Sequence, residues 1–335
     1  MDQNDHNVEL TASEISQLWI SYQNDSMAIC GIEYFLANCE DEQIRSVLGY
    51  ALEISKAHVK KVTKIFNNEN YPVPQGFTEH DVNLDAPRLF SDKLYLEYMT
   101  NMANFGLTSY GLAVSLAERT DIIEYYNECL NETQDLHNSA KELAKEKGIY
   151  VRAPHIAKPE QIEFVKKQSF LAGWFGDRRS LLGIEIANLV YNAKRNALLQ
   201  AIITGFSQVA KSKEVRKYFE RGREIAGKQL EIFTSILHDD YLSGGALLLT
   251  SEVTDSKIAP FSDKLMMYHI SALIGSGIGQ YGIAMSTSPR HDLGVHYTRL
   301  MGELAHFSDD GANLMIKNGW MEYPPQAPQR KDLAK

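Results

Sequence analysis

Glu303-Leu-Ala-His306 has the spacing Glu-x-x-His, which on an α-helix sets a carboxylate and an imidazole one turn apart. Helical bundles that bind pairs of metal ions use this spacing on two helices and add a Glu from each of the other two, all projecting inward. The chemistry therefore depends on where Glu303 and His306 point. Leu293, Tyr297, Leu300, Leu304 and Gly311 define the apolar face of their segment. At about 100° per residue, Glu303 lies roughly 90° from the centre of that face and His306 roughly 150°. Both are predicted to point outward, as are Glu132 and Asp135 of Glu132-Thr-Gln-Asp135. Glu53-Ile-Ser-Lys56 and Glu224-Ile-Ala-Gly227 are incomplete motifs. These acids read as solvated or surface ion-paired groups.

Other polar residues fall in phase with apolar neighbours. Glu33 and His58 lie on predicted core faces, His137 lies at a core edge, and Tyr98 and His269 occupy equivalent inward positions. In an antiparallel hairpin turning near residue 40, Glu33 faces the level of residue 47 and His58 that of residue 22. At 1.5 Å per residue they stand roughly 16 Å apart, too far to share an ion. Tyr98 is expected near the level of Glu33, with Thr204 and His269 as the corresponding pair. Interior hydrogen-bond pairing is the preferred role for these six residues, because an unpaired buried polar group is costly. An unusual iron or manganese site and a small-ligand pocket are the alternatives; no catalytic residue and no cofactor is expected. Gly275 to Gly282, GSGIGQYG, falls inside a helical pattern rather than after a strand, so it reads as a close-packing surface and not a phosphate loop.

The elements that must position these groups come from a duplication. FSDKL occurs at Phe90–Leu94 and again at Phe261–Leu265, an offset of 171. The same offset superposes Gly106, Tyr110, Gly111, Arg119, Asp121, Tyr126 and Glu132 on Gly277, Tyr281, Gly282, Arg290, Asp292, Tyr297 and Glu303. It also superposes Leu18 and Phe35 on Leu189 and Phe206. Each copy predicts four long helices, near 12–39, 41–67, 91–117 and 119–146 in the first. Ser91 and Ser262 are predicted N-caps, Phe90 and Phe261 staples against Tyr95 and Met266, and Gly148 and Gly319 helix stops. Short turns join the first and second helices and the third and fourth, while residues 68–90 form a long crossover. The expected fold is all-α: two tandem ferritin-like four-helix bundles. The expected divisions are 1–150 for the first bundle, 151–181 for a linker, and 182–335 for the second bundle with its C-terminal tail. The linker is expected to hold a short helix from near Pro159, with Trp174 and Phe175 packing between the bundles.

A net charge of -9 excludes a general nucleic-acid binder. Cys30, Cys39 and Cys129 lack CxxC spacing and read as buried thiols in a reducing compartment. The N-terminus carries no secretory pattern, which predicts a cytoplasmic protein. Leu265 to Met285 is free of acidic residues, Lys and Arg, but its counterpart Leu94 to Val114 carries Glu97, Asn101 and Asn104. Two copies of one fold share one solvent, so no membrane span is expected. The first hairpin tip is acidic (Glu40-Asp41-Glu42), and its counterpart is basic (Lys211, Lys213, then Arg216, Lys217, Arg221 and Arg223). A solvated charged surface is the default reading of both tips; the alternative is that complementary tips guide head-to-tail assembly, and an unknown protein partner or self-association is the expected form of interaction.

FSDKL, FLAGWFGDRRS, GFSQVAKSKEVRKYFERG and MIKNGWMEYPPQAPQRK together resemble the Bacillus-type domain-of-unknown-function family 3231, over essentially the whole chain. The resemblance implies a ferritin-like fold, a distant similarity to ferritin-like spore coat proteins and an association with the spore or envelope. It implies no catalytic residue. The expected function is a non-enzymatic structural or interaction protein; the alternative is a ferritin-like metal-dependent oxidase or metal-storage protein.

Overall fold

The computed structural model describes residues 8–173, 178–245 and 248–333. Among these residues are eight long helices: α1 (Ala12–Asn38), α2 (Glu42–Asn68), α3 (Asp92–Leu116), α4 (Thr120–Glu146), α5 (Gly183–Val209), α6 (Lys213–Asp239), α7 (Asp263–Ser286) and α8 (His291–Lys317). A short α9 spans Arg330–Leu333. Each helix of the second set begins 171 residues after its counterpart in the first. The described residues contain no strand, only an isolated bridge between Phe90 and Val253. The all-α duplicated fold is the one the repeat predicts.

Local chemistry sets the helix ends. Thr11 and Glu14 form a reciprocal capping box on α1, and Asp41 accepts the N–H groups of Gln43 and Ile44 at the start of α2. Ser91 and Ser262 cap α3 and α7 by accepting the N–H of Leu94 at 3.2 Å and of Leu265 at 3.1 Å. Gly148 and Gly319 adopt φ of 69° and 68°, the left-handed turn that ends α4 and α8. Phe90 and Phe261 are buried, but both rings pack on Phe206, at 6.2 and 6.0 Å between centroids. Ser262→Ala should destabilise the protein by about 1 kcal/mol, and Ser262→Gly by only a few tenths. Urea midpoints that rank the two the other way would remove the capping role.

The chain forms two compact units. Unit 1 comprises Met1–Asp85, Tyr95–Ala144 and Gly319–Lys335; unit 2 comprises Ala86–Leu94 and Lys145–Asn318. Residues 86–94 and 145–150 thus group with unit 2 and residues 319–335 with unit 1, rather than following a simple cut between continuous halves. Within unit 2, Thr254 N–H donates to Leu89 O and Ser91 N–H to Glu252 O, both at 2.9 Å. The Glu252 carboxylate receives Ser91 Oγ at 2.7 Å and Lys93 Nζ at 3.0 Å. Within unit 1, the Glu322 carboxylate accepts the N–H groups of Gln75 at 3.0 Å and Gly76 at 2.6 Å.

The linker differs from expectation. No helix forms at Pro159; the helical turn in this region is a 3₁₀ turn over Gln168–Leu171. Lys158 offers no side-chain acceptor for an N-cap, and Ile162, Phe164 and Val165 are not buried against another element. All three are largely exposed. Trp174 and Phe175 lie outside the described residues.

In unit 1 the buried line along α1 runs Glu14, Leu18, Ser21, Asp25, Ala28, Ile32, Phe35, repeating at alternating steps of four and three. Its N-terminal half therefore carries three polar groups inward. Two of these, Ser21 and Asp25, face the candidate site.

Candidate functional site

His58 on α2 is 2% exposed and lies at the centre of a polar cluster in unit 1. Its Nε2 lies 2.8 Å from Glu132 Oε2 on α4. Its Nδ1 faces Asp25 Oδ2 on α1 at 3.4 Å, a charge contact without hydrogen-bond alignment. Tyr110 OH on α3 stands 3.4 Å from the same nitrogen. The Tyr110 and Tyr125 rings meet the imidazole edge-on, at 5.8 and 6.1 Å between centroids. Cys129, fully buried, completes the wall from α4. Burial alone would lower the imidazole pKa, but the facing Asp25 carboxylate outweighs it and raises it well above the ordinary value. Burial raises the Cys129 thiol and the Tyr110 and Tyr125 phenols, so these neighbours stay neutral. The charges that face one another are one imidazolium and two carboxylates.

Unit 2 carries polar side chains at the corresponding positions and joins them differently, with Tyr281 between Asn196 and Gln229. Asn196 takes the place of Asp25, Gln229 that of His58, and Tyr281 and Glu303 those of Tyr110 and Glu132. Asn196 Nδ2 donates to Tyr281 OH at 2.7 Å and to Asn192 O at 2.8 Å. Tyr281 OH donates to Gln229 Oε1 at 2.7 Å, and Gln229 Nε2 donates to Glu303 Oε2 at 3.0 Å. Two amides, which cannot exchange protons near neutral pH, stand where unit 1 holds a carboxylate and an imidazole.

The interior placement of His58, Tyr98 and His269 agrees with the sequence reading; the expected pairings do not. Glu33 leaves the core: its carboxylate meets Lys56 at 2.7 Å and its side chain is 32% exposed. The reason is phase. The true core line of α1 passes through Ile32, and the polar residues along that line hide it from an apolar-periodicity count. Tyr98 packs edge-on against Phe35 at 5.5 Å. Thr204 donates to the Gln200 carbonyl of its own helix at 2.6 Å, while His269 packs on Phe206 at 5.6 Å. Burial lowers the His269 pKa to about 4. His137 is half-buried, and burial lowers its pKa as well.

Glu132 and Glu303 also correct the outward reading. Each carboxylate reaches back from the rim of its bundle to a buried partner, His58 or Gln229. Asp135 and His306 are exposed, as expected. Asp25 escaped the sequence reading, although the level of residue 22 assigned opposite His58 lies within one helical turn of it. The substitution Asp25/Asn196 under the offset of 171 was a usable signal.

A second candidate is a groove of about 410 Å³ in unit 2, lined by Tyr218, Leu314 and the ion pairs Arg221–Asp310 and Lys317–Glu214. Its paired charges leave no evident preference for a ligand. Among the described residues, no group of three or more His, Cys, Asp and Glu side chains is placed to hold a metal ion. No described helix is long and apolar enough to cross a membrane.

No curated protein matches the sequence. A solved structure described as a putative spore coat protein from Bacillus halodurans C-125 is 15% identical, with a TM-score of 0.42 over 46% of this chain and all of that one. A likeness that distant carries no argument here. The family model for proteins of unknown function, DUF3231, matches residues 1–162 and again 169–333, so the chain belongs to that family, in two tandem copies.

Proposed function

We propose that the protein is a structural or interaction protein with no enzymatic role. One observation carries this reading: the positions of Asp25, His58 and Glu132 are filled in unit 2 by Asn196, Gln229 and Glu303, joined through Tyr281. An arrangement that tolerates amides at its central positions serves polar satisfaction of a helix core, since acid–base chemistry requires groups that exchange protons. The family resemblance directs the search for the assembly it serves to the spore or cell envelope. Metal chemistry is the competing reading, and a direct experiment separates the two. Protein purified from iron- and manganese-supplemented cultures should carry neither metal stoichiometrically, and Fe(II) with dioxygen should be oxidised no faster than in buffer. Stoichiometric retention of either metal, or catalysed oxidation, would replace the structural reading with an oxidase or storage role.

A further inference from the structure

We propose that the core of unit 1 is a pH-responsive element: the Asp25–His58–Glu132 charge cluster ties its stability to one imidazole proton, and the amide copy in unit 2 lacks that dependence. The four long helices of unit 1 all contribute to the surroundings of that proton. Asp25 faces His58 from α1, Tyr110 from α3, and Tyr125, Cys129 and Glu132 from α4. Tyr126, also on α4, packs on Tyr110 and Tyr125 at 6.2 and 4.8 Å between centroids. The phenols and the thiol are neutral, so the imidazolium is the cation that offsets the two carboxylates. In unit 2 the facing carboxylate and the imidazole are both absent, and the remaining Glu303 is met by Gln229 and by Lys228 at 3.3 Å.

The sign follows from linkage. His58 is held protonated in the folded unit, whereas in the unfolded chain it releases its proton around 6.5. Its contribution is therefore complete below that value and is lost progressively as pH rises toward the folded value. Each pH unit above 6.5 should lower the folding equilibrium of unit 1 by up to about tenfold, equivalent to about 1.4 kcal/mol. Unit 2 contains His269, but its pKa is lowered, so its linkage acts on acidification instead. The acid limb is common to both units through Glu14 and Glu185, buried carboxylates whose lowered pKa values make their contributions fade as pH falls. The alkaline response between pH 6.5 and 8.5 distinguishes the units, because unfolded thiols release protons only around 9.0 and phenols around 10.0.

Hydrogen–deuterium exchange of the full chain, corrected for intrinsic rates, reads each unit separately. Between pH 6.5 and 8.5, protection of α1, α2 and α4 should fall by up to about a hundredfold relative to α5, α6 and α8. The pair Asp25→Asn with His58→Gln, which copies the chemistry of unit 2, should abolish that difference. The reciprocal pair Asn196→Asp with Gln229→His should impose it on unit 2. Equal responses in the two units of the wild type would overturn the proposal, as would an unchanged slope in the first pair. Should that pair fail to fold, NMR of His58 in the wild type decides: an imidazolium at pH 7.5 is expected, and a neutral ring overturns the inference. Metal content tests the structural reading and proton linkage tests this one, so either can fail alone.

Discussion

Arg290→Ala should lower the stability of unit 2 by about 3 kcal/mol, because it leaves the buried Asp292 carboxylate with only the longer Arg178 contact at 3.9 Å. Arg290 has no exposed surface, and its guanidinium forks onto Asp292 at 2.8 and 3.0 Å. Its third nitrogen donates to the Arg179 carbonyl at 3.2 Å. Beside it, Glu185, also fully buried, takes both arms of Arg179 and the N–H groups of Leu182 and Arg290. The pocket is satisfied only as a set. Arg290→Lys keeps a charge but loses the fork, and should fall between the wild type and Ala. The counterpart in unit 1 offers an internal control. Arg119 makes the same fork onto Asp121 at 2.7 and 2.9 Å, but Asp121 is 38% exposed. Water can replace much of that pair, so Arg119→Ala should cost clearly less. Urea unfolding followed by exchange of α8 and α4 measures both, and equal losses would show that burial does not govern the pair.

Phe206→Ala should cost about 3–5 kcal/mol as a large-to-small change in a packed core. The ring is 1% exposed and meets Phe90, Phe219, Phe261 and His269, with centroids between 5.6 and 6.2 Å. Gly205 beside it makes room for the Phe90 ring, which a Cβ there would approach to 2.5 Å. Truncation would admit water to His269, whose pKa is lowered by burial to about 4. In the variant, that imidazole should titrate nearer its ordinary value. A loss below 1 kcal/mol with an unmoved His269 titration would mean that the surrounding aromatics collapse to fill the space.

The same residues mark how far the sequence could be read. Arg119, Asp121, Arg290 and Asp292 were visible as repeated positions, yet neither pair had a readable role, because each anchors a helix start to residues distant in the chain. Phe206 was legible as a repeated apolar position. Its partners were not, since Phe90 reaches it from the crossover segment that packs with unit 2.

The repeat of 171 residues by itself determined the eight helices, their starts and their glycine stops. These depend on local capping chemistry and on apolar spacing within one helix. It also placed His58, Tyr98 and His269 in the interior. Only the tertiary structure decided that Glu33 turns to Lys56, that Asp25 takes the inward place, and that Glu132 and Glu303 bend back to buried partners. Apolar periodicity weights the face that apolar residues occupy, so a core line that is itself polar, such as Glu14–Ser21–Asp25, shifts the apparent phase. A flexible Glu at the rim can reach inward from a backbone position that faces out. Such choices are made by the charges on neighbouring helices, which no single helix encodes.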